Sequence, residues 1–254
     1  MSDQDAIDVS REPGHIGHVR LQRPPNNFFS LDMIAGIADA LETMDDDDDC
    51  RVVVLSAQGK HFCAGADLTS SNSGYTAEDL YAAAVRLFRT RKPIVAAVQG
   101  AVIGGGVGLC LAADFRVAAP DARFSVNFAK LGFHHGFGLS VTLPALVGQQ
   151  MAAQLLYTGR RIDAVEATRI GLVDALAPDD DVLHAATALA SEIAAAAPLA
   201  VESIRATLRA DLADRIAVAT AHEAREQARL RATDDFVEGV TATAQRRPPR
   251  FTRR

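Results

Sequence analysis

The feature that most limits how this chain can fold is a glycine-rich run, Gly100-Ala101-Val102-Ile103-Gly104-Gly105-Gly106-Val107-Gly108, lying between a strand-like and a helix-like segment. On its N-terminal side, Pro93–Val98 (PIVAAV) is continuously apolar, as strands buried on both faces are. On its C-terminal side, Val107–Ala113 reads as a helix. A buried strand that passes through glycines into a helix belongs to an α/β fold. Gly104–Gly106 can take backbone angles closed to other residues and leave room for a ligand to approach the main chain. A helix start also presents unpaired N–H groups and the positive end of a dipole. The run is not a dinucleotide fingerprint, because Leu109 stands where the third glycine should be, and no Lys-Ser/Thr follows to make a P-loop. Tight packing alone could also demand such a cluster, so spacing leaves a binding role and a structural role both open.

A second glycine turn, Phe62-Cys63-Ala64-Gly65-Ala66-Asp67-Leu68, follows the strand-like Arg51–Ser56 (RVVVLS). If it lies opposite the first, each turn contributes one free N–H. Two such donors polarise a carbonyl and stabilise the oxyanion formed from it.

The rest of the chain sets these turns in a mixed framework. Residues 5–11 and 15–22 read as a hairpin around Pro13-Gly14, and Arg23-Pro24-Pro25 ends its second strand. Ser30 is placed to cap a helix with Ile34, Ile37, Leu41 and Met44 on one face. The acidic run Asp45–Asp49 reads as a solvated loop, since a calcium loop needs spaced ligands and a glycine turn. Thr76 and Asp79 form a capping-box pattern for a helix to about Arg89, and residues 115–118 and 123–126 read as short strands. From Gly138 the pattern is helical, apart from a short strand expected near Leu172–Val173. Helices are expected over 182–197, 198–209, 211–231 and 234–245, before a basic, proline-broken tail. We divide the chain into a core, residues 1–195, and a helical C-terminal region, 196–254.

Composition excludes several classes. With 48% hydrophobic and 23% charged residues the chain is neither disordered nor fibrous. A net charge of −6 gives no basic face for nucleic acid. Three cysteines without a pairing pattern argue against a disulfide scaffold and a structural zinc. The polar N-terminus lacks a signal-peptide core, and no apolar run reaches the roughly 18 residues of a membrane span. A cytoplasmic protein without nucleic-acid or membrane partners is expected.

Three segments together, HFCAGADL, PIVAAVQGAVIGGGVGLCLAADFRVAAPDARFS and LYTGRRIDAVEATRIGLVDAL, resemble the enoyl-CoA hydratase/isomerase family, also called crotonases. The resemblance spans about residues 7–250 and includes LQRPP at the first strand's end and TDDFVEGVTATAQRRPPRF near the C-terminus. It implies an α/β crotonase-like spiral of ββα units with a helical C-terminal trimerisation region, assembled as a homotrimer or a dimer of trimers. It implies an acyl-CoA thioester as substrate, with no separate cofactor and no metal. The backbone N–H groups of Ala66 and Gly105 would hold the thioester oxygen. Ala66, Asp67, Leu68 and Thr69 would line the CoA arm, and Ala64, Gly104 and Gly105 are further substrate-binding candidates. Arg23 and the basic tail are candidates for the phosphates. Asp67 could act as an acid or base, but its position in the family is mainly a turn-former; Asp114 corresponds to a structural residue, and Cys63 and Cys110 read as small core residues.

The chain also departs from the family pattern. The hydratases use two glutamates, and their positions correspond here to Gly108 and Phe128. A positioned acid or base supplies ~10²–10⁴-fold, so hydration of straight-chain enoyl-CoAs is expected to be weak. Nearby stands Leu131-Gly132-Phe133-His134-His135-Gly136-Phe137-Gly138. His134 or His135 could serve as acid or base near neutral pH, or merely bond within the loop. Phe124, Phe128, Phe133 and Phe137 add aromatic area around the same region; some belong to the core, Phe128 and Phe133 are candidates to contact substrate, and Phe128, in the place of an acid, could shape an apolar acyl pocket. Two other readings stay open: a non-catalytic acyl-CoA-binding protein, and a hydrolase of a thioester or carbon–carbon bond.

Overall fold

The structure, a computed structural model, describes residues 6–67, 74–178 and 181–254. Strands β1 (Ile7–Glu12) and β2 (Ile16–Leu21) form an antiparallel hairpin. Strands β3 (Val52–Ala57), β4 (Ile94–Val98), β6 (Phe115–Ala118) and β9 (Ala175–Leu176) then add in parallel, giving the order β1-β2-β3-β4-β6-β9. A smaller sheet holds β5 (Ala101–Ile103), β7 (Arg123–Ser125) and β8 (Ile162–Asp163). In it β5 runs parallel to β7, and β7 antiparallel to β8. The β4–β5–α3 segment, with α3 spanning Gly105–Cys110, is a ββα unit whose second strand leaves the large sheet for the small one.

Alternation along the strands explains why the large sheet is buried on both sides. Val19, Leu21, Val53, Leu55, Ile94, Ala96 and Val98 face the main core. Ile16, Val52, Val54, Val95, Ala97 and Val117 face helix α7 (Val182–Ala194). That helix presents Val182, Ala186, Ala190 and Ala194 at four-residue spacing, and its alanine stripe lets it lie close to the sheet.

Helix α1 (Leu31–Asp45) starts where Ser30 accepts from the Met33 N–H at 3.3 Å, and it buries Ile34, Ile37, Leu41 and Met44. Helix α2 (Ala77–Leu87) opens on a capping box in which both reciprocal bonds between Thr76 and Asp79 form. Helices α4 (Leu139–Val147) and α5 (Gln149–Thr158) lie between β7 and β8, and α6 (Ala164–Arg169) follows β8. Helices α8 (Pro198–Leu208), α9 (Leu212–Arg231) and α10 (Asp234–Ala244) complete the chain. Helix α9 packs on α2 and α4, with Ile216 and Ala224 in the main core. Asp114 ties α8 to the sheet: it accepts from the Ile94 N–H at 2.8 Å and pairs with Arg205 and Arg209 at 2.9 and 2.7 Å.

Three local expectations are corrected. No strand forms at Leu172–Val173; the ladder resumes at β9, and β8 forms earlier, at the turn after α5. Both are two residues long, too short to leave a period in the sequence. Strand β5 lies inside the glycine-rich run, where its three residues were masked by the flanking glycines. The acidic run is more than a solvated loop. The Asp45 carboxylate accepts from the N–H groups of Arg91 and Lys92 at 2.7 and 2.9 Å, and Asp47 pairs with Arg11 at 2.6 Å. The buried Lys92 ammonium donates to the Met44 and Asp47 carbonyls. The run therefore closes the end of α1 against the segment leading into β4.

Candidate active site

The two glycine turns are stitched side by side. Cys63 N–H donates to Ala101 O at 3.2 Å, and Ile103 N–H donates to Cys63 O at 3.0 Å. On the other edge, Phe29 N–H donates to Gly65 O at 3.0 Å and Ala64 N–H to Asn26 O at 2.9 Å. In a trans peptide the C=O and the following N–H point in opposite directions. Because Gly65 O points to Phe29, Ala66 N–H points away from it. Gly65 sits at φ +90°, and a Cβ there would lie 2.8 Å from Ile103 O and 3.7 Å from Gly105 N. The peptide joining Gly65 to Ala66 is thus beside the start of α3.

Gly104 occupies φ 57°, ψ −120°, a conformation left to glycine. Its N–H donates to Ser125 O at 2.8 Å, and its carbonyl accepts from Val107 N–H at 3.0 Å. The same trans-peptide rule turns Gly105 N–H out of the helix start. Neither Ala66 nor Gly105 N–H has an acceptor among the described residues. The outcome is two adjacent, outward N–H donors at a helix N-terminus, an arrangement suited to an oxyanion.

Aromatic rings surround this point. The Phe29 ring lies against Gly105, where an added Cβ would come within 2.6 Å of its Cζ. Phe137, itself in the left-handed region at φ 62°, packs its ring 5.5 Å from that of Phe29 and 6.4 Å from that of Tyr81. A Cβ on Gly108 would stand 2.5 Å from Phe137 Cβ. The space beside the third residue of the helix after Gly105 is therefore filled by phenylalanine. On the other side, the Phe128 ring lies beside Gly104, where an added Cβ would be 3.7 Å from its Cζ; it stacks at a tilt on Phe133 at 5.3 Å, and meets the His135 ring edge-on at 6.5 Å.

The loop between the 3-10 turn Asn127–Leu131 and α4 carries both histidines. His134 Nδ1 bonds the His135 carbonyl at 2.7 Å, so this nitrogen carries the hydrogen. Its own carbonyl accepts from Gln227 Nε2 at 3.0 Å, and Gln227 Oε1 accepts from the Tyr81 hydroxyl at 3.0 Å. His135 Nε2 lies 2.9 Å from Ser140 Oγ, and Ser140 Oγ donates to Glu223 Oε1 at 2.6 Å. Glu223 is fully buried and also accepts from the N–H groups of Gly138 and Ser140 at 2.9 and 3.0 Å. The imidazoles of His134 and His135 stack at 4.1 Å, with His222 of α9 5.7 Å from His134. Burial, then the neighbouring His134 and His222, lower His135 from 6.5 to about 4. Burial raises the Cys63 and Cys110 thiols to about 12, so both are inert core residues and not nucleophiles.

The profile of the enoyl-CoA hydratase/isomerase family matches residues 11–254. The chain belongs to that family. It is 35% identical over 232 residues to the crotonyl-CoA hydratase of Syntrophomonas wolfei, covering 89% of each chain. It is 33% identical over 256 residues to the peroxisomal Delta(3,5)-Delta(2,4)-dienoyl-CoA isomerase of Arabidopsis thaliana, covering 93% of this chain and 92% of that one. The crystal structure of an enoyl-CoA hydratase/isomerase from Pseudoalteromonas atlantica superimposes with a TM-score of 0.88 at 30% identity, over 97% of this chain and all of that one. The fold is that of the crotonases, and the chain is a member of an enzyme family of the lyase and isomerase type.

Within this family member, the structure brings most of the expected site residues together. Ala64, Ala66, Gly104 and Gly105 share one locus, with Phe128 against it. Phe133 stands behind Phe128, packed on Phe236 at 5.3 Å and beneath the Arg231 guanidinium. Asp67 is exposed at the turn's end, while Leu68 and Thr69 lie outside the described residues. Arg23 donates to Ser30 Oγ at 2.8 Å, which anchors the cap of α1. The tail folds back on α10: Arg247 forms a two-bonded pair with Glu238 at 2.6 and 2.7 Å, and Asp235 accepts from the Thr252 and Arg253 N–H groups. The Arg247 guanidinium, then the Arg250 N–H, draw the Glu238 carboxyl down to about 2. Among the described residues no cluster of three or more His, Cys, Asp or Glu is arranged for a metal ion.

Phe29, Tyr81, Ser140, Glu223 and Gln227 escaped the sequence reading. For the last two the signal was present. Ile216, Thr220, Glu223, Ala224 and Gln227 all lie on the buried stripe of α9, and an acid on such a stripe requires a partner.

Proposed function

We propose that this enzyme acts on an acyl- or enoyl-CoA thioester, holding the thioester oxygen with the N–H groups of Ala66 and Gly105 and moving a proton with His135. The observation that carries the reading is the pair of adjacent, unpartnered N–H donors at the start of α3. Each donor of this kind is worth ~10²–10³ in rate, because it is aimed before the charge develops. Two facts favour His135 over His134: its ring meets Phe128, the residue against Gly104, and it bonds a hydroxyl tied to a buried carboxylate. The family resemblance aligns the hydratase glutamates with Gly108 and Phe128. On that alignment Phe137 occupies the first acid's space and Phe128 replaces the second, so the acyl end is apolar and aromatic. CoA is part of the substrate in this reading, and no further cofactor takes part.

Calorimetric titration tests it. An acyl-CoA is expected to bind and its free acid to bind far more weakly, since only the thioester brings both the activated carbonyl and the CoA arm. Equal binding of the two, or none of either, overturns the proposal. The loss of both glutamates also favours a second reading, a protein that binds acyl-CoA without converting it. Binding without turnover across a panel of acyl-CoAs, including thioester and carbon–carbon hydrolysis assays, selects that reading.

We propose further that the chain assembles as a homotrimer or a dimer of trimers through its C-terminal helices. Leu199, Ile204 and Leu208 of α8, Val218 of α9 and Val237 of α10 are all exposed, with Leu199 and Leu208 at 79% and 80%. That is more apolar side chain than scattered surface residues account for. Light scattering is expected to give three or six chains at micromolar concentration, and a stable monomer contradicts it.

A further inference from the structure

The bond chain from α9 to the histidine loop fixes more than the loop's position. We infer that Ser140 and Glu223 are positioning residues that hold His135 as the Nε2–H tautomer, with the lone pair on Nδ1. This inference rests on the reading of His135 as the proton-transfer group.

Glu223 has no exposed surface and accepts from the Gly138 and Ser140 N–H groups, at the N-terminus of α4. Both carboxylate oxygens of Glu223 already accept a peptide N–H, and a carboxylate accepts and cannot donate. Ser140 Oγ lies 2.6 Å from Glu223 Oε1, so the hydroxyl hydrogen points to Glu223. What Ser140 Oγ offers on its other side is a lone pair. His135 Nε2, 2.9 Å away, must supply the hydrogen of that contact. The reverse arrangement, a serine hydroxyl donating to a bare Nε2, would leave Oγ and a carboxylate oxygen facing each other at 2.6 Å with no hydrogen between them. One hydrogen on a neutral imidazole leaves Nδ1 as the acceptor. His134 shows the opposite tautomer, because its Nδ1 bonds a carbonyl, which cannot donate. The two stacked rings are thus set in different states by different partners.

If His135 accepts a proton at Nδ1, the resulting imidazolium keeps its Nε2–H bond to a hydroxyl backed by a buried carboxylate. The relay orients the ring and stabilises its charged form without touching substrate.

The test is Ser140→Ala, at a solvent-exposed position whose backbone N–H still reaches Glu223. Nitrogen-15 NMR of histidine-labelled protein reads the tautomer, with the His135 signals assigned by their loss in His135→Ala. Wild type is expected to show Nε2–H at neutral pH, and Ser140→Ala a mixture. Turnover of the responsive thioester in Ser140→Ala is expected to fall about tenfold or more in kcat. KM should change little, and Ser140→Thr should restore most of the rate. An Nδ1–H wild type, or an unchanged tautomer in Ser140→Ala, overturns the positioning proposal and leaves the role of His135 standing. Full turnover by His135→Ala removes that role instead, whatever the tautomer, so the two failures are told apart.

Discussion

His135→Ala is expected to leave acyl-CoA binding nearly intact and to cut turnover by about two orders of magnitude or more. His134→Ala should cost much less, since its Nδ1 is spent on a loop carbonyl. The pH profile provides a second reading of the same residue. Burial, then His134 and His222, hold His135 near 4, below the ordinary 6.5. Glu223 faces it through Ser140, and Glu226, paired with Arg229, lies on the same helix as His222. The base-competent neutral form therefore persists down to about pH 4, and the acid limb of kcat/KM is expected there and not at 6.5. A base with this proton affinity is close to a carboxylate, which is the type of group the family places elsewhere in the site.

The linkage to stability has a definite sign. Between about pH 6.5 and 4 the unfolded chain binds a proton at residue 135 that the folded chain does not. Stability is full above this window and falls as the pH drops through it, and His135→Ala should lose that part of the dependence in thermal melts. An acid limb at 6.5 that survives His135→Ala would show that another group carries the proton.

Crotonyl-CoA should be hydrated at least two orders of magnitude more slowly than by efficient enzymes, which reach hundreds of turnovers per second or so. In the proposed mechanism the donor pair polarises the thioester, but adding water also needs a base for the water and an acid for the neighbouring carbon. One histidine near the acyl end does not readily serve both. The obvious repair, Gly108→Glu, is expected to fail. A Cβ at Gly108 would meet Phe137 Cβ at 2.5 Å, an atom next to the backbone and unable to swing aside. Overpacking of this kind costs about 1–3 kcal/mol, so the variant should melt earlier without gaining hydratase activity. Hydration at hundreds per second by wild type, matched by both histidine variants, would mean that the missing chemistry has been assigned to the wrong residues.

Where local chemistry is strong, the sequence already showed the structure. Ser30 and the Thr76–Asp79 box start α1 and α2, and the β-branched runs 52–57 and 94–98 lie at the centre of the sheet. The two glycine turns were also legible, because only glycine tolerates the backbone at 65 and 104. Their juxtaposition was not: it depends on β5, three residues long, pairing with a turn about 40 residues earlier. The aromatic filling of the space beside Gly108 was equally hidden, since Phe137 is brought there by a left-handed turn 29 residues downstream. Glu223 could have been noticed as an acid on an apolar stripe, but its partner, the start of α4, is 83 residues away in sequence.

The anchoring of the histidine loop by α9 bears on the order in which the molecule becomes competent during synthesis. Every residue that bonds the paired N–H turns to one another lies within the first 125 or so delivered by the ribosome, through β7, which bonds Gly104. The loop at 132–140 follows immediately, yet its supports, Glu223 and Gln227, are made almost a hundred residues later. Until α9 docks, a nascent chain holds the paired N–H turns with no anchored imidazole beside them. On the proposed mechanism, proton chemistry at this centre would begin only when the chain is nearly finished.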